Sequence, residues 1–73
     1  ANPEDSAIRA ERERALRQAL TEISPVYREA IVLCDIEGYT YEEIGRMLDV
    51  NVGTVKSRIA RGREELRKRL KAI

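Results

Sequence analysis

Apolar residues recur every three or four positions along most of this 73-residue chain, which is the spacing of a helical face. No stretch alternates apolar and polar residues as a half-buried strand does. The pattern predicts an all-α, four-helix domain. Its first helix is expected over about residues 6–22. Its second is expected to begin at Pro25, with Ser24 as the cap, and to close at Gly38 in a left-handed conformation.

The sharpest local signal is a capping box formed by Thr40 and Glu43. The threonine hydroxyl group can accept a hydrogen bond from the backbone N–H of the glutamate, while the glutamate carboxylate can accept one from the backbone N–H of the threonine. The third helix should follow at once, run to about Leu48 and bury Met47 on its apolar side. A tight turn then leads to Asn51, a good N-cap for a fourth helix. Two helices joined by so short a turn predict a helix-turn-helix.

The fourth helix should be long and should pack along its whole length, because its apolar residues fall within about 80° of arc. This stripe consists of Val55, Ile59, Gly62, Leu66, Leu70 and Ile73. A glycine in mid-helix costs about 1 kcal/mol relative to alanine. Gly62 lies inside the stripe, so we expect another helix to approach closely there. The opposite face begins with small or basic side chains, which suits a groove.

Composition excludes several functions. The chain has no histidine, which is the commonest acid–base catalyst and metal ligand. Its single cysteine, Cys34, cannot form an internal disulfide and is expected to be a small core residue. No apolar run approaches the roughly 18 residues that a membrane span needs. Glu42 and Glu43 are spaced for capping rather than for paired acid–base work. We therefore expect no enzyme, no cofactor, no metal site and no membrane insertion.

The net charge of +1 conceals two opposite halves. Residues 1–51 carry six basic against eleven acidic groups, a net −5, whereas residues 52–73 carry eight against two, a net +6. Such asymmetry suggests an end that binds a polyanion. The alternative is a solvated helix with internal ion pairs four residues apart, and charge alone leaves both open. The candidate pairs are Arg61/Glu65, Glu64/Lys68 and Glu65/Arg69.

The outward face of the fourth helix has the chemistry of base recognition. In a helix-turn-helix, the N-terminal part of the second helix enters the major groove. Arg61 is our first candidate for reading guanine, because its two parallel donors match O6 and N7, and Lys56 is the second. Ala60 leaves room for a groove wall or a thymine methyl group. Two further residues can donate to phosphates or bases, namely Thr54 and Ser57.

Three other features are candidates for phosphate binding. The first amides of the fourth helix, around Gly53, form a phosphate site if they are free. Arg58 belongs to the DNA-binding set, although it could instead pair with an acidic residue of an earlier helix. Tyr41, at the start of the third helix, could reach a phosphate or serve only in packing.

Residues 39–45 and 52–63 closely resemble region 4 of bacterial sigma-70-type factors, and most closely the extracytoplasmic-function (ECF) group. The segments read YTYEEIG and VGTVKSRIARGR. Residues 19–29 also look like the entry into that domain, so the resemblance covers about residues 11–70. It implies a sigma region 4 helix-turn-helix DNA-binding domain over residues 11–73, preceded by a linker or a frayed helix start over residues 1–10.

The resemblance implies a function as well. Region 4 recognises the minus-35 promoter element within RNA polymerase holoenzyme, docks on the flap of the polymerase β subunit, and in many members is masked by an anti-sigma factor. These partners place the protein in the cytoplasm. Region 2 of such factors has no counterpart in this sequence, so the chain is expected to be an excised or truncated domain. The DNA-contacting positions of the family fall on Thr54, Lys56, Ser57, Ala60 and Arg61, with Tyr41 at a phosphate.

Two other interpretations remain open at this stage. The LuxR-type output domain of response regulators shares Thr-Val-Lys in its recognition helix, although Ser57-Arg58 followed by Arg61 and Arg63 favours the sigma factor. The chain could also be a helical module that mainly binds polymerase or an anti-sigma factor.

The sequence departs from the family pattern at Cys34, where many members have an arginine that touches the DNA backbone. Gly45 and Gly62 stand where alanine is usual.

Overall fold

The structure, a computed structural model, describes residues 3–70, and within that range it contains four helices and no strand. Helix α1 spans Pro3–Glu22, α2 spans Pro25–Ile31 and continues into a π-helical turn over Val32–Ile36, α3 spans Tyr41–Leu48, and α4 spans Val52–Leu70. Helices α3 and α4 form the predicted helix-turn-helix, and α1 and α2 pack against α4. The all-α prediction is confirmed.

Helix α1 begins earlier than predicted, at Pro3 rather than near residue 6. Proline fits a first helical turn because the missing N–H has no partner there in any case. Over residues 5–14, α1 is almost entirely exposed, including Ile8 at 47%. Burial begins only towards its C-terminal end, where Ala19 and Leu20 enter the core. We call this charged and exposed part of α1 the arm. Only the second half of the helix packs against the core.

One arginine side chain, rather than the predicted serine, organises the junction between α1 and α2. Ser24 occupies the N-cap position of α2, but its side chain makes no capping hydrogen bond. Instead Arg28 Nε donates to the carbonyl of Leu20 at 2.7 Å, and its Nη2 donates to the carbonyl of Ile23 at 3.2 Å. The last carbonyls of a helix lack partners within the helix, so these bonds satisfy the end of α1.

A π-helical turn closes α2. The amide of Glu37 donates to the carbonyl of Val32 at 2.9 Å, five residues back, which inserts one extra residue into the turn. Gly38 follows with φ of +83°, as predicted for a left-handed cap. The amide of Tyr39 then donates to the carbonyl of Leu33 at 3.0 Å. The chain leaves α2 in an extended direction and enters α3.

The capping box of α3 is present in full. Thr40 Oγ1 accepts from the amide of Glu43 at 3.1 Å, and Glu43 Oε1 accepts from the amide of Thr40 at 2.9 Å. The helix ends as predicted at Leu48. The expectation that Met47 is buried is wrong, since it is 51% exposed. The buried side of α3 centres between Ile44 and Leu48, and Met47 lies roughly 80° from that centre.

The turn between α3 and α4 is tight at two positions. Asp49 adopts a left-handed conformation with φ of 56°, which few residues other than glycine accept readily. Gly45 lies beneath the turn, and a Cβ added to it would lie 2.8 Å from the carbonyl oxygen of Val50. That backbone atom cannot rotate away, so the close turn accounts for a glycine at this position.

The core lies where α4 crosses the other three helices. It consists of Ala19, Leu20, Ile23, Ala30, Ile31, Ile44, Val55, Ile59 and Leu66. The predicted close approach at Gly62 is confirmed, because an added Cβ would lie 2.8 Å from Cγ1 of Ile31 and 3.2 Å from Cβ of Tyr27. An alanine would therefore recover helix propensity only if α2 moved away from α4.

The apolar stripe of α4 is shorter than predicted. Val55, Ile59, Gly62 and Leu66 are buried, but Leu70 is 36% exposed and Ile73 lies outside the described residues. Beyond Leu66, α4 and the arm of α1 leave an open groove between them rather than a closed contact.

The ion pairs of α4 also differ from those predicted. None of the three expected pairs with spacing of four residues forms within residues 3–70. Arg67 instead contacts Glu64 at 2.5 Å, three residues away. Arg69 reaches α1, donating from Nη2 to the carbonyl of Glu22 at 3.1 Å. The side chains of α4 therefore pair partly with other helices.

Across residues 3–70, no helix is both long enough and apolar enough to cross a membrane.

Candidate nucleic-acid interface

The first turn of α4 is fixed by Asn51. Its Oδ1 accepts from the amide of Thr54 at 2.8 Å, and its carbonyl accepts from the amide of Val55 at 3.1 Å. This confirms the predicted N-cap. It also corrects the proposed phosphate site, since the Thr54 amide is already occupied and only the amides of Val52 and Gly53 remain for an anion.

Two buried residues set the orientation of α4. Val55 is 0% and Ile59 is 1% exposed, so these anchors fix which side of the helix meets the protein. The side chains between and after them face solvent because the helix turns by about 100° per residue. The exposed residues of this outward face are Lys56, Ser57, Ala60 and Arg61, and the half-buried ones at its edges are Thr54 and Arg58.

The structure thus brings together all six candidates on α4, and we call them the α4 face. It offers two hydroxyl groups, a small apolar side chain and three cations within about two turns of one helix. That combination supplies bidentate donors for guanine edges, a site for a thymine methyl group and donors for phosphates. The contacts to DNA themselves remain a prediction.

Arg58 has no carboxylate at ion-pair distance among the described residues. The alternative in which it pairs with an acidic residue of an earlier helix is therefore not realised in the structure. Its position at the edge of the α4 face leaves the guanidinium available for a phosphate.

Tyr41 lies half-buried as the first residue of α3 and packs against the core. The packing interpretation of this residue is therefore confirmed. A phosphate contact through its hydroxyl group is compatible with the remaining exposure and stays a prediction.

The structure adds a contact that sequence reasoning missed, between Arg63 of α4 and Asp35 of the π-helical turn. Nε of Arg63 donates to Oδ2 at 3.1 Å and Nη2 donates to Oδ1 at 2.6 Å, a bidentate pair. The hydrogen bond from Arg63 lowers the pKa of Asp35, and the same bond raises the pKa of Arg63. The partners are 28 residues apart, so no local sequence signal could have paired them.

Cys34, beside this ion pair, is half-buried and packs against the core. Burial raises the pKa of its thiol, and the neighbouring Asp35 charge adds to the effect. A raised pKa keeps the thiol protonated at neutral pH, which makes it a poor nucleophile. These observations agree with the small-core-residue interpretation.

The fold and the α4 face define a class of protein: an all-α helix-turn-helix domain whose second helix presents a basic outward surface. The family model described as sigma-70, region 4, matches residues 13–66 of the chain. The chain belongs to this family. The response-regulator alternative is not favoured by this match.

Three relatives of the chain are RNA polymerase sigma factors. The chain is 53% identical, over 90% of its length, to the ECF RNA polymerase sigma factor SigE of Mycolicibacterium smegmatis, of which it covers 26%. It is 44% identical over 97% of its length to the ECF RNA polymerase sigma factor SigW of Bacillus subtilis, covering 38%. It is 36% identical over 99% of its length to the RNA polymerase sigma-H factor of Pseudomonas aeruginosa, covering 37%. The chain thus spans between a quarter and two fifths of these relatives' length.

Proposed function

We propose that this chain is the promoter-recognition domain of an ECF sigma factor and that it reads the minus-35 element within RNA polymerase holoenzyme. The observation that carries the proposal is the α4 face: donors, cations and a small apolar side chain project from one helix of a region 4 domain. The domain contributes binding rather than catalysis, and its place of action is the bacterial cytoplasm, where the polymerase transcribes.

In this mechanism α4 enters the major groove through its first three turns. Arg61 donates to a guanine edge, Lys56 contacts a second base or a phosphate, and Ala60 lies against the groove wall. The buried anchors Val55 and Ile59 hold these side chains in a fixed orientation, so little has to be ordered when DNA binds. Thr54, Ser57, Arg58 and Tyr41 set the register by contacting phosphates or sugars.

Protein partners are the second part of the proposal. Polymerase core, through the β-subunit flap, and an anti-sigma factor are the expected partners of an ECF region 4. An open groove of about 480 Å³ lies between the arm of α1 and the end of α4, where Ile8 and Leu70 are 47% and 36% exposed. On α2, Val26 is 45% exposed. Exposed apolar side chains on a small domain support a role in protein binding.

Selection from a pool of randomised DNA duplexes tests the DNA-binding proposal. The full 73-residue chain should enrich one short sequence motif, and binding to the enriched duplex should weaken steeply as salt rises, because phosphate contacts release counterions. Arg17→Gln is a matched control, since this exposed arginine of α1 lies off the α4 face. It should enrich the same motif. Failure of the wild-type chain to enrich any sequence, or binding that does not respond to salt, would contradict the proposal.

A further inference from the structure

The ion pairs of α4 divide its cations into two groups along the helix. Up to and including Arg61, no cation of α4 has a carboxylate at ion-pair distance within the described part of the chain. After Arg61, three of the four described cations are paired: Arg63 with Asp35, Arg67 with Glu64, and Arg69 with Glu22. Unpaired positive charge is therefore concentrated in the first turns, where the α4 face lies.

Among these pairs, the one between Arg63 and Asp35 is the most restrictive. Two parallel hydrogen bonds fix the plane of the guanidinium, whereas each other pair makes at most one bond between charged groups. Asp35 also belongs to another element, the π-helical turn, so the pair ties the flank of α4 to the end of α2. Asp35 lies within this π-helical turn, Val32–Ile36, which also contains the extra residue.

Arg63 would otherwise be well placed to contact DNA. It lies seven residues after Lys56, so it shares a flank of the helix with that lysine, about 10 Å further along the axis. Its side chain is 48% exposed, and that of Asp35 is 37% exposed, so solvent reaches both groups. If released from its carboxylate, this guanidinium lies on the same flank of α4 as Lys56, one of the cations that we propose to contact DNA.

We propose that Asp35 is a specificity-determining residue: by holding Arg63 against the end of α2, it withholds one cation of α4 from DNA phosphates and so lowers affinity for DNA of any sequence. The inference rests on the proposed function of the α4 face. Phosphate contacts add affinity without sequence information, whereas base contacts supply discrimination. Removing one phosphate contact therefore raises the ratio of specific to non-specific binding while the base-reading residues stay unchanged.

The test measures how binding to a randomised-sequence duplex depends on salt, between about 50 and 200 mM, for matched variants of the full chain. Each phosphate neutralised adds about 0.9 to the slope of log affinity against log salt. Asp35→Asn should steepen the slope by about that amount and bind the random duplex several-fold more tightly. Arg63→Gln should keep the wild-type slope. The double variant should return to the wild-type slope, because the gain acts through Arg63.

Glu37→Gln is the matched control for net charge. Glu37 is an exposed carboxylate two residues from Asp35 and has no ion-pair partner among the residues that the structure describes. It should leave the slope unchanged. A steeper slope for Glu37→Gln equal to that of Asp35→Asn would overturn the proposal, because the effect would then reflect net charge alone.

Two other outcomes overturn the inference. An unchanged or shallower slope for Asp35→Asn means that the carboxylate withholds nothing. A slope that falls by about 0.9 in Arg63→Gln means that Arg63 already contacts a phosphate in the wild-type chain. If Asp35→Asn does not fold, Asp35→Ala, which also removes the carboxylate, takes its place, and a slope no steeper than that of the wild type in that variant overturns the inference. If binding of the wild-type chain to DNA does not respond to salt at all, the proposed function itself is contradicted. The salt slope of the wild-type chain therefore separates failure of the proposed function from failure of this inference.

Discussion

Arg28 shows how much one side chain can contribute to the architecture of a domain this small. It donates to three carbonyls at the end of α1, those of Leu20, Thr21 and Ile23. A sequence pattern does not distinguish such an arginine from a solvated one, because the acceptors are backbone atoms that become neighbours only when α1 and α2 meet.

Replacing Arg28 with alanine is predicted to lower the free energy of unfolding by about 1–3 kcal/mol, since part-buried carbonyls would lose their donors. Arg28→Lys should recover only part of this loss, because an ammonium group lacks the planar fork that serves several acceptors. Urea unfolding measures both. Arg17→Ala, an exposed change in α1, is the control. Equal effects of Arg28→Ala and the control would show that these bonds contribute nothing.

At the scale of the element, the sequence predicted best where a structural signal is local. The capping box of Thr40 and Glu43, the Asn51 cap and the left-handed Gly38 each depend on residues within a few positions, and all three are present. The sequence did not predict the π-helical turn, because hydrophobic spacing does not separate a π-helical from an α-helical turn over five residues. It placed Met47 and Leu70 in the core because apolar character alone does not show where a neighbouring helix ends.

Thr40→Ala is predicted to cost about 1 kcal/mol of stability, the usual cost of losing an N-cap side chain. The Glu43 amide would lose its acceptor, and Glu43 would lose the geometry that directs it to the Thr40 amide. Thermal unfolding followed by circular dichroism should show a lower Tm. Ser57→Ala, on the exposed side of α4, should lower Tm little or not at all. A Thr40→Ala protein as stable as wild type would show that the box is dispensable.

For the molecule as a whole, the charged groups imply acid sensitivity. The pKa of Asp35 is lowered by the hydrogen bond from Arg63, and the pKa of Glu43 is lowered by the hydrogen bond from the Thr40 backbone. A carboxyl group whose pKa is lower in the folded than in the unfolded state stabilises the fold above its unfolded pKa, about 4, and loses that contribution as pH falls through the folded pKa.

The urea midpoint is therefore predicted to be level above about pH 5 and to decline below about pH 4. The double variant Asp35→Asn, Glu43→Gln should decline less over the same acidic range, because two of the titrating groups are gone. A parallel decline in both proteins would show that other carboxyl groups govern the acid response.

The candidate site was largely predictable from the sequence, because its residues lie on one helix whose rotation is fixed by a simple apolar stripe. The four-residue spacing of Val55 and Ile59 predicts which side of α4 is buried. In the structure the α4 candidates lie on the outward side or at its edges, as predicted. Contacts across distant parts of the chain were not predictable. The pairing of Arg63 with Asp35 and that of Arg69 with Glu22 depend on how helices meet, which local spacing does not encode.

The central claim is that the α4 face reads bases, and Arg61→Ala tests it most directly. Affinity should be measured for the motif enriched by the wild-type chain and for duplexes that carry each single base change in turn. We predict a loss of about 1–3 kcal/mol on the motif, with discrimination relaxed at one position and retained at the others. A uniform loss on every duplex, with discrimination unchanged at all positions, would contradict base reading by Arg61.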